Sequence, residues 1–113
     1  MKAFATTKYV RSAAQKARLV ADAVRGKMVS EALSTLDLTI QKPVAEDFSK
    51  TIKSAVANLQ SKNADAAVSV DELKISEIRV DQGPVLKRHK ARAQGRVAGI
   101  LRRRCHITVT VSD

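Results

Sequence analysis

Apolar residues recur at helical intervals through the first half of the chain and at alternate positions through most of the second. Ala13, Ala17, Val20, Ala21 and Val24 share one helical face. Ser12 and Gln15 form an S-x-x-Q capping box ahead of it, and Gly26 in Arg25-Gly26-Lys27 offers the left-handed residue that closes such a helix. A short second helix fits Ser30 to Leu36, with Ser30 as its cap and Glu31 at the positive end of its dipole. Pro43 suits the first turn of a third helix. Along it Val44, Phe48, Ile52, Ala55, Val56 and Leu59 repeat at fours and threes, the best apolar stripe in the chain and the expected centre of its core. Ser61 to Ala66 is polar and reads as a loop.

The period then changes. Leu73 and Ile75 alternate, and Ile78 and Val80 alternate one position out of phase, which predicts a β-bulge around Ser76–Glu77. His106 to Val111 alternates cleanly, with Ile107, Val109 and Val111 expected to face inward. Weaker alternation from Lys2 to Lys8 predicts a third strand. The pattern defines an α+β domain of three helices on a small three-stranded antiparallel sheet.

Between the two good strands lie the residues Asp81 to Cys105, with Gly83, Pro84, Gly95, Gly99 and little fit for a core. A segment that long inside a compact domain is functional or disordered. Continued as a β-hairpin, each arm of about 12 residues reaches about 40 Å, and such a ribbon is marginal in water without a partner. The expected organisation is one domain over 1–113, with a globular part (1–80 and 106–113) and an extended basic hairpin at about 81–105.

Charge sharpens this picture. Residues 1–27 carry seven basic side chains and one acid, 28–76 five against seven, and 77–113 nine against three. Basic ends around a slightly acidic middle imply an oriented electrostatic face. The run Lys87–Arg104 holds eight basic residues and no acid. Packing like charges together costs a free chain, and that cost is recovered among phosphates, where condensed counterions are released. The run is internal, bracketed by strands and interrupted by Ala91, Ala93, Val97, Ala98, Ile100 and Leu101, unlike a solvated tail. Arginine's excess over lysine suits the phosphate fork. A polyanion partner is expected.

Composition does not choose between RNA and DNA. A basic ribbon on a helical body also fits a DNA-architectural protein of the nucleoid type, which lays two arms in the minor groove as a dimer. That reading asks for an apolar wedge at the arm's tip and an apolar dimer face, whereas Pro84 falls at the arm's base. Aromatics are few, Phe4, Tyr9 and Phe48, which counts against a module built on base stacking. One cysteine, Cys105, excludes an intrachain disulfide and a multi-cysteine metal cluster. No stretch has the length of a membrane span, and MKAFATTKYVRS lacks a signal-peptide core, so a cytoplasmic location is expected.

Candidate chemistry is thin. His89 has no carboxylate or nucleophile in sequence reach and reads as one more phosphate donor. Cys105 and His106 adjoin without completing a metal site, and His106 is expected to face RNA or solvent. Asp65, Asp71, Glu72, Glu77 and Asp81 are irregularly spaced and read as a solvated acidic edge. No catalytic residue, metal or cofactor is expected.

Two blocks carry a family resemblance. Arg11 to Lys27, RSAAQKARLVADAVRGK, is one; Lys87, Arg92-Ala93-Gln94-Gly95-Arg96 and the strand His106-Ile107-Thr108-Val109-Thr110-Val111, preceded by DQGP, are the other. Together they resemble the universal large-subunit ribosomal protein family numbered twenty-two, in its bacterial form. The resemblance implies the same fold with a projecting hairpin, and a role as a structural constituent of the large subunit. It implies binding to large-subunit ribosomal RNA, help in subunit assembly, neighbouring ribosomal proteins as contacts, and no homo-oligomer. It further implies that the hairpin tip, Leu86 to Arg96, lines the nascent-polypeptide exit tunnel, with Leu86, Lys87, Arg88, His89, Lys90 and Arg92 nearest its wall. Macrolide response is then expected to depend on Leu86-Lys87-Arg88. The expected RNA contacts are Lys8, Arg11, Lys16, Arg18, Arg25 and Lys27 on the globular part. On the ribbon they are Lys87, Arg88, Lys90, Arg92, Arg96, Arg102, Arg103 and Arg104, with His106 at its base. Ala91 replaces a proline usual in relatives, and Arg104-Cys105 a Thr-Ser pair.

Overall fold

The computed structural model describes residues 2–40, 42–62 and 70–113. Along the chain run β1 (Lys2–Val10), α1 (Ala14–Val24), α2 (Val29–Asp37), α3 (Lys42–Lys62), β2 (Lys74–Ala91) and β3 (Val97–Ser112). The strands form one antiparallel sheet in the order β1-β3-β2. β3 is the strand with the cleanest alternation, and its central place follows: Cys105, Ile107, Val109 and Val111 are all buried under the helices. α3 covers β1 and β3, α1 covers β2, and α2 leans on α3.

The stripe on α3 behaves as its spacing predicts. Phe48, Ile52, Ala55 and Leu59 are fully buried, while Val44 packs at the margin. Thr51, on the same stripe, is buried without an apolar partner's chemistry. Its hydroxyl donates to the Asp47 carbonyl at 2.7 Å and is hydrogen-bonded to the Thr7 hydroxyl of β1, so the helix is pinned to the sheet by a satisfied polar contact. α3 runs through Ser61 and Lys62, so these two are helical rather than loop; the rest of that expected loop lies outside the described residues.

Neither predicted serine cap is made. α1 starts at Ala14 with Ala13 as its cap residue, and Ser12 Oγ donates instead to the Ala13 carbonyl at 3.3 Å. α2 starts at Val29 with Met28 before it, which puts Ser30 inside the helix. A short pairing explains that shift: Met28 bridges Lys74, with Val29 N–H donating to Leu73 O and Ile75 N–H to Lys27 O, both at 3.0 Å. Tertiary pairing overrides the local cap preference. Gly26 does take left-handed backbone, φ 79°, at the end of α1.

The predicted bulge is present. β2 shifts against β3 between Ile75 and Glu77, and Ser76, the extra residue, donates from Oγ to Thr110 O at 3.2 Å. A second shift lies between Gln82 and Val85, around Gly83–Pro84. There a Cβ on Gly83 would meet the backbone of Arg104 at 3.1 Å, so the arms approach closely where the ribbon leaves the sheet.

Beyond that point β2 and β3 continue as a hairpin with pairs from Val85↔Arg103 to Ala91↔Val97. Its end is the turn Arg92–Arg96, in which Arg92 N–H donates to Arg96 O and Gln94 and Gly95 both have positive φ. Of the residues expected near the tunnel, Leu86 lies on the arm, opposite Arg102, and Arg92 at the turn. The ribbon stretches the molecule to 66 × 25 × 15 Å, with a radius of gyration of 17.2 Å. A compact chain of this length has a radius of about 13 Å.

Candidate nucleic-acid interface

Two edges of the fold have to be dealt with, since an unpaired strand edge invites pairing. β2 is one of them. Its start is covered by Lys27–Val29, and α1 continues the cover with arginine. Arg25 Nη2 donates to Ile78 O and Arg18 Nη2 to Val80 O, each at 3.2 Å. Arg25 also pairs with Asp22, one helical turn back. Arg11, Arg18 and Arg25, spaced by sevens, therefore run along this edge, and the first stands where the edge becomes ribbon.

There the start of α1, the start of α3 and the base of the ribbon enclose an open groove of about 1010 Å³. Arg11 and Lys16 line it from the α1 end, and Arg88, Arg102, Arg103 and Arg104 from the ribbon. Ser12, Ala13, Pro43, Val44, Leu86 and Leu101 complete the wall, with no carboxylate among them. Six cations around an open channel with an apolar floor suit a phosphate backbone with its sugars. Ser12, Ala13, Pro43, Val44 and Leu101 line the groove without being expected there, because no spacing in the sequence brings the starts of α1 and α3 to the base of the ribbon.

Register assigns the ribbon's faces, because directly opposed residues in an antiparallel pair share a face. Leu86, Arg88, Lys90, Ala98, Ile100 and Arg102 fall on one side. Val85, Lys87, His89, Ala91, Val97, Leu101 and Arg103 fall on the other. Both faces are basic, and Arg92 and Arg96 carry charge to the end. Residues 86–97 are all exposed, and among the described residues no cation of the ribbon pairs with a carboxylate. Arg88 donates only to the neighbouring Lys87 carbonyl, at 3.0 Å.

The other expected contacts are dispersed. Lys8 is exposed on β1. Lys27 lies at the far end of α1, where its ammonium donates to Thr35 Oγ1 at 3.4 Å, away from the groove. His106 is half-buried beside β1, its Nδ1 accepting from the Tyr9 amide at 3.1 Å. His89 is exposed on the ribbon. Asp71, Glu72, Glu77 and Asp81 are exposed, with Asp81 held by Arg79 at 3.1 Å; Asp65 lies outside the described residues. Cys105 is buried, and burial first, then the nearby Asp47 carboxylate, pushes its thiol pKa up against the opposing pull of Arg18. Such a thiol is inert rather than reactive. Few aromatics does not mean few exposed ones: two of the three, Phe4 and Tyr9, are exposed on β1.

A helix-backed sheet with a long hairpin, basic on both faces and opening from a cationic groove, has the form of a polyanion-binding protein. The chain matches the family ribosomal protein L22p/L17e over residues 5–112 and belongs to that family. Membership makes it a structural, RNA-binding component of the large ribosomal subunit, associated with the ribosome and with neighbouring ribosomal proteins. No helix among the described residues is long and apolar enough to cross a membrane.

Proposed function

We propose that this protein helps the large subunit assemble by holding RNA segments together from both sides of its ribbon, and that the hairpin's end lines the nascent-chain exit tunnel. The observation that supports this reading most is charge on both ribbon faces with no internal carboxylate to neutralise it. An arm laid in a single DNA groove needs one basic face; an arm threaded between RNA segments needs two. Arg11, Lys16, Arg88, Arg102, Arg103 and Arg104 would grip backbone at the groove, and Lys87, Lys90, Arg92 and Arg96 further out. Arg18 and Arg25 keep unused N–H groups for phosphate beside those that brace β2, since guanidinium has five donors. Recognition would rest on RNA shape rather than base reading. The protein would act as one cytoplasmic domain, without self-association, with residues at about 81–105 as its RNA-penetrating part and the arm leading from Leu86 in the groove out to Lys90 and Arg92 towards the tunnel.

A photoreactive side chain placed at Lys90 or Arg92 in ribosomes halted during synthesis tests the tunnel assignment. The expected result is cross-linking to the nascent chain from both positions. Cross-links to RNA alone would put the hairpin's end elsewhere.

A further inference from the structure

Tyr9 has φ 59°, at the point where β1 shifts against β3 between Thr7 and Val10. Left-handed backbone is unfavourable for a bulky residue and suits glycine or asparagine. The conformation delivers two contacts to His106. The Tyr9 amide donates to His106 Nδ1, and the two rings meet edge to face with centroids 5.1 Å apart at 88°. An accepting Nδ1 leaves the imidazole proton on Nε2, as a donor with no protein partner among the described residues.

The contact orients the Tyr9 ring without burying it: the residue is 61% exposed. Because Cys105 faces the core, its neighbour His106 stands on the opposite, helix-free face of the sheet. Neither Tyr9 nor His106 lines the groove. Lys8 and Arg79 are exposed nearby, and the one carboxylate opposite His106, Asp81, is already held by Arg79. An oriented aromatic face and a fixed N–H donor, with the Lys8 ammonium exposed beside them, are groups that hold an unstacked nucleotide.

We propose that Tyr9 and His106 form a preset seat for one unstacked nucleotide of large-subunit ribosomal RNA. The base stacks on the Tyr9 ring, and a phosphate or 2′-hydroxyl oxygen of the same nucleotide accepts from His106 Nε2–H. This rests on the ribosomal reading but differs from its ribbon contacts in physics: stacking contributes little to counterion release, so the seat adds affinity that salt barely screens.

Full-length wild type, Tyr9→Asn and Tyr9→Phe are titrated against large-subunit ribosomal RNA over a salt series. Asparagine keeps the left-handed backbone and removes the ring; phenylalanine keeps the ring. Tyr9→Asn should bind about tenfold more weakly at every salt concentration with an unchanged salt slope, and Tyr9→Phe should bind like wild type. Equal binding by Tyr9→Asn and wild type overturns the seat while leaving the ribosomal reading intact; failure of wild type to bind this RNA overturns the reading itself. Normal binding of Tyr9→Asn to naked RNA with loss from assembled subunits would give the ring a protein neighbour and also overturn the seat. Ultraviolet cross-linking of the wild-type complex reads the same contact without mutation. A nucleotide adduct on the Tyr9 peptide is expected, and adducts confined to ribbon peptides would refute it.

Discussion

Asp47 is half-buried on α3, and burial is the main influence raising its carboxyl pKa above the ordinary value of 3.8; Lys50 pulls it down and Glu46 pushes it up. The folded carboxyl thus holds its proton to higher pH than the unfolded one. Its charged form opposes folding, so its effect is least unfavourable below 3.8 and grows unfavourable as pH rises through the raised folded value. Asp47→Asn should therefore be more stable than wild type near neutrality, and the gain should disappear on acidification to about pH 3. Thermal melts of both proteins at the two pH values check this; a gain larger in acid would mean that the fold favours the carboxylate. At this scale the sequence was only partly legible. The inward residues of α3 and β3 follow from period alone, but Ser12 and Ser30 looked like caps and are not. A cap preference is worth about 1 kcal/mol, and the Lys27–Val29 pairing to β2 outweighs it. The roles of Tyr9 and His106 depend on a β1 bulge that no turn residue announces.

Among the elements, α1 guards the edge of β2, and the ribbon beyond has no such guard. Arg18→Gln and Arg25→Gln should each lower folding stability by about 0.5–1.5 kcal/mol, the worth of a hydrogen bond to a strand carbonyl. Arg11→Gln, at the groove, should leave stability within about 0.5 kcal/mol and instead reduce the salt slope of RNA binding by about 0.7–0.9. Denaturant melts beside salt titrations separate the two effects, and an unchanged slope for Arg11→Gln would remove it from the phosphate contacts. Arginines spaced by sevens were visible in the sequence; their division between bracing and groove was not, because it depends on which carbonyls the strand edge leaves open. Hydrogen exchange on the free protein tests the same asymmetry. Amides of α3 should be protected, and those from Leu86 to Leu101 should exchange rapidly. Strong protection at Ala91–Gly95 would mean that the ribbon is held by its own domain.

At the scale of the whole molecule, a radius of gyration of 17.2 Å against the compact expectation of about 13 Å is the extension contributed by one hairpin. A chain with a net charge of +10 has placed its densest positive run where it cannot reach its own acids. That much is legible in the sequence: an internal basic run between two good strands, too long for an ordinary loop. What the run's composition hid is its two-sidedness, since alternation sends Lys87 and Arg88 to opposite faces, and the turn's position, set by Gln94-Gly95 rather than by charge. The ribbon is accordingly expected to be the least ordered part of the free protein, with RNA supplying the missing stabilisation.

The central claim is that the groove and ribbon are neutralised by the phosphates of folded large-subunit RNA. The most direct measurement titrates wild type and an Arg102→Gln, Arg103→Gln, Arg104→Gln triple variant against that RNA and against duplex DNA of matched charge, from low to high salt. Wild-type binding to the RNA should outlast binding to DNA as salt rises, and the triple variant should lose about two units of salt slope on the RNA. Equal, equally salt-sensitive binding to both polymers, with the variant's slope unchanged, would contradict the account and reduce the ribbon to a general cationic surface.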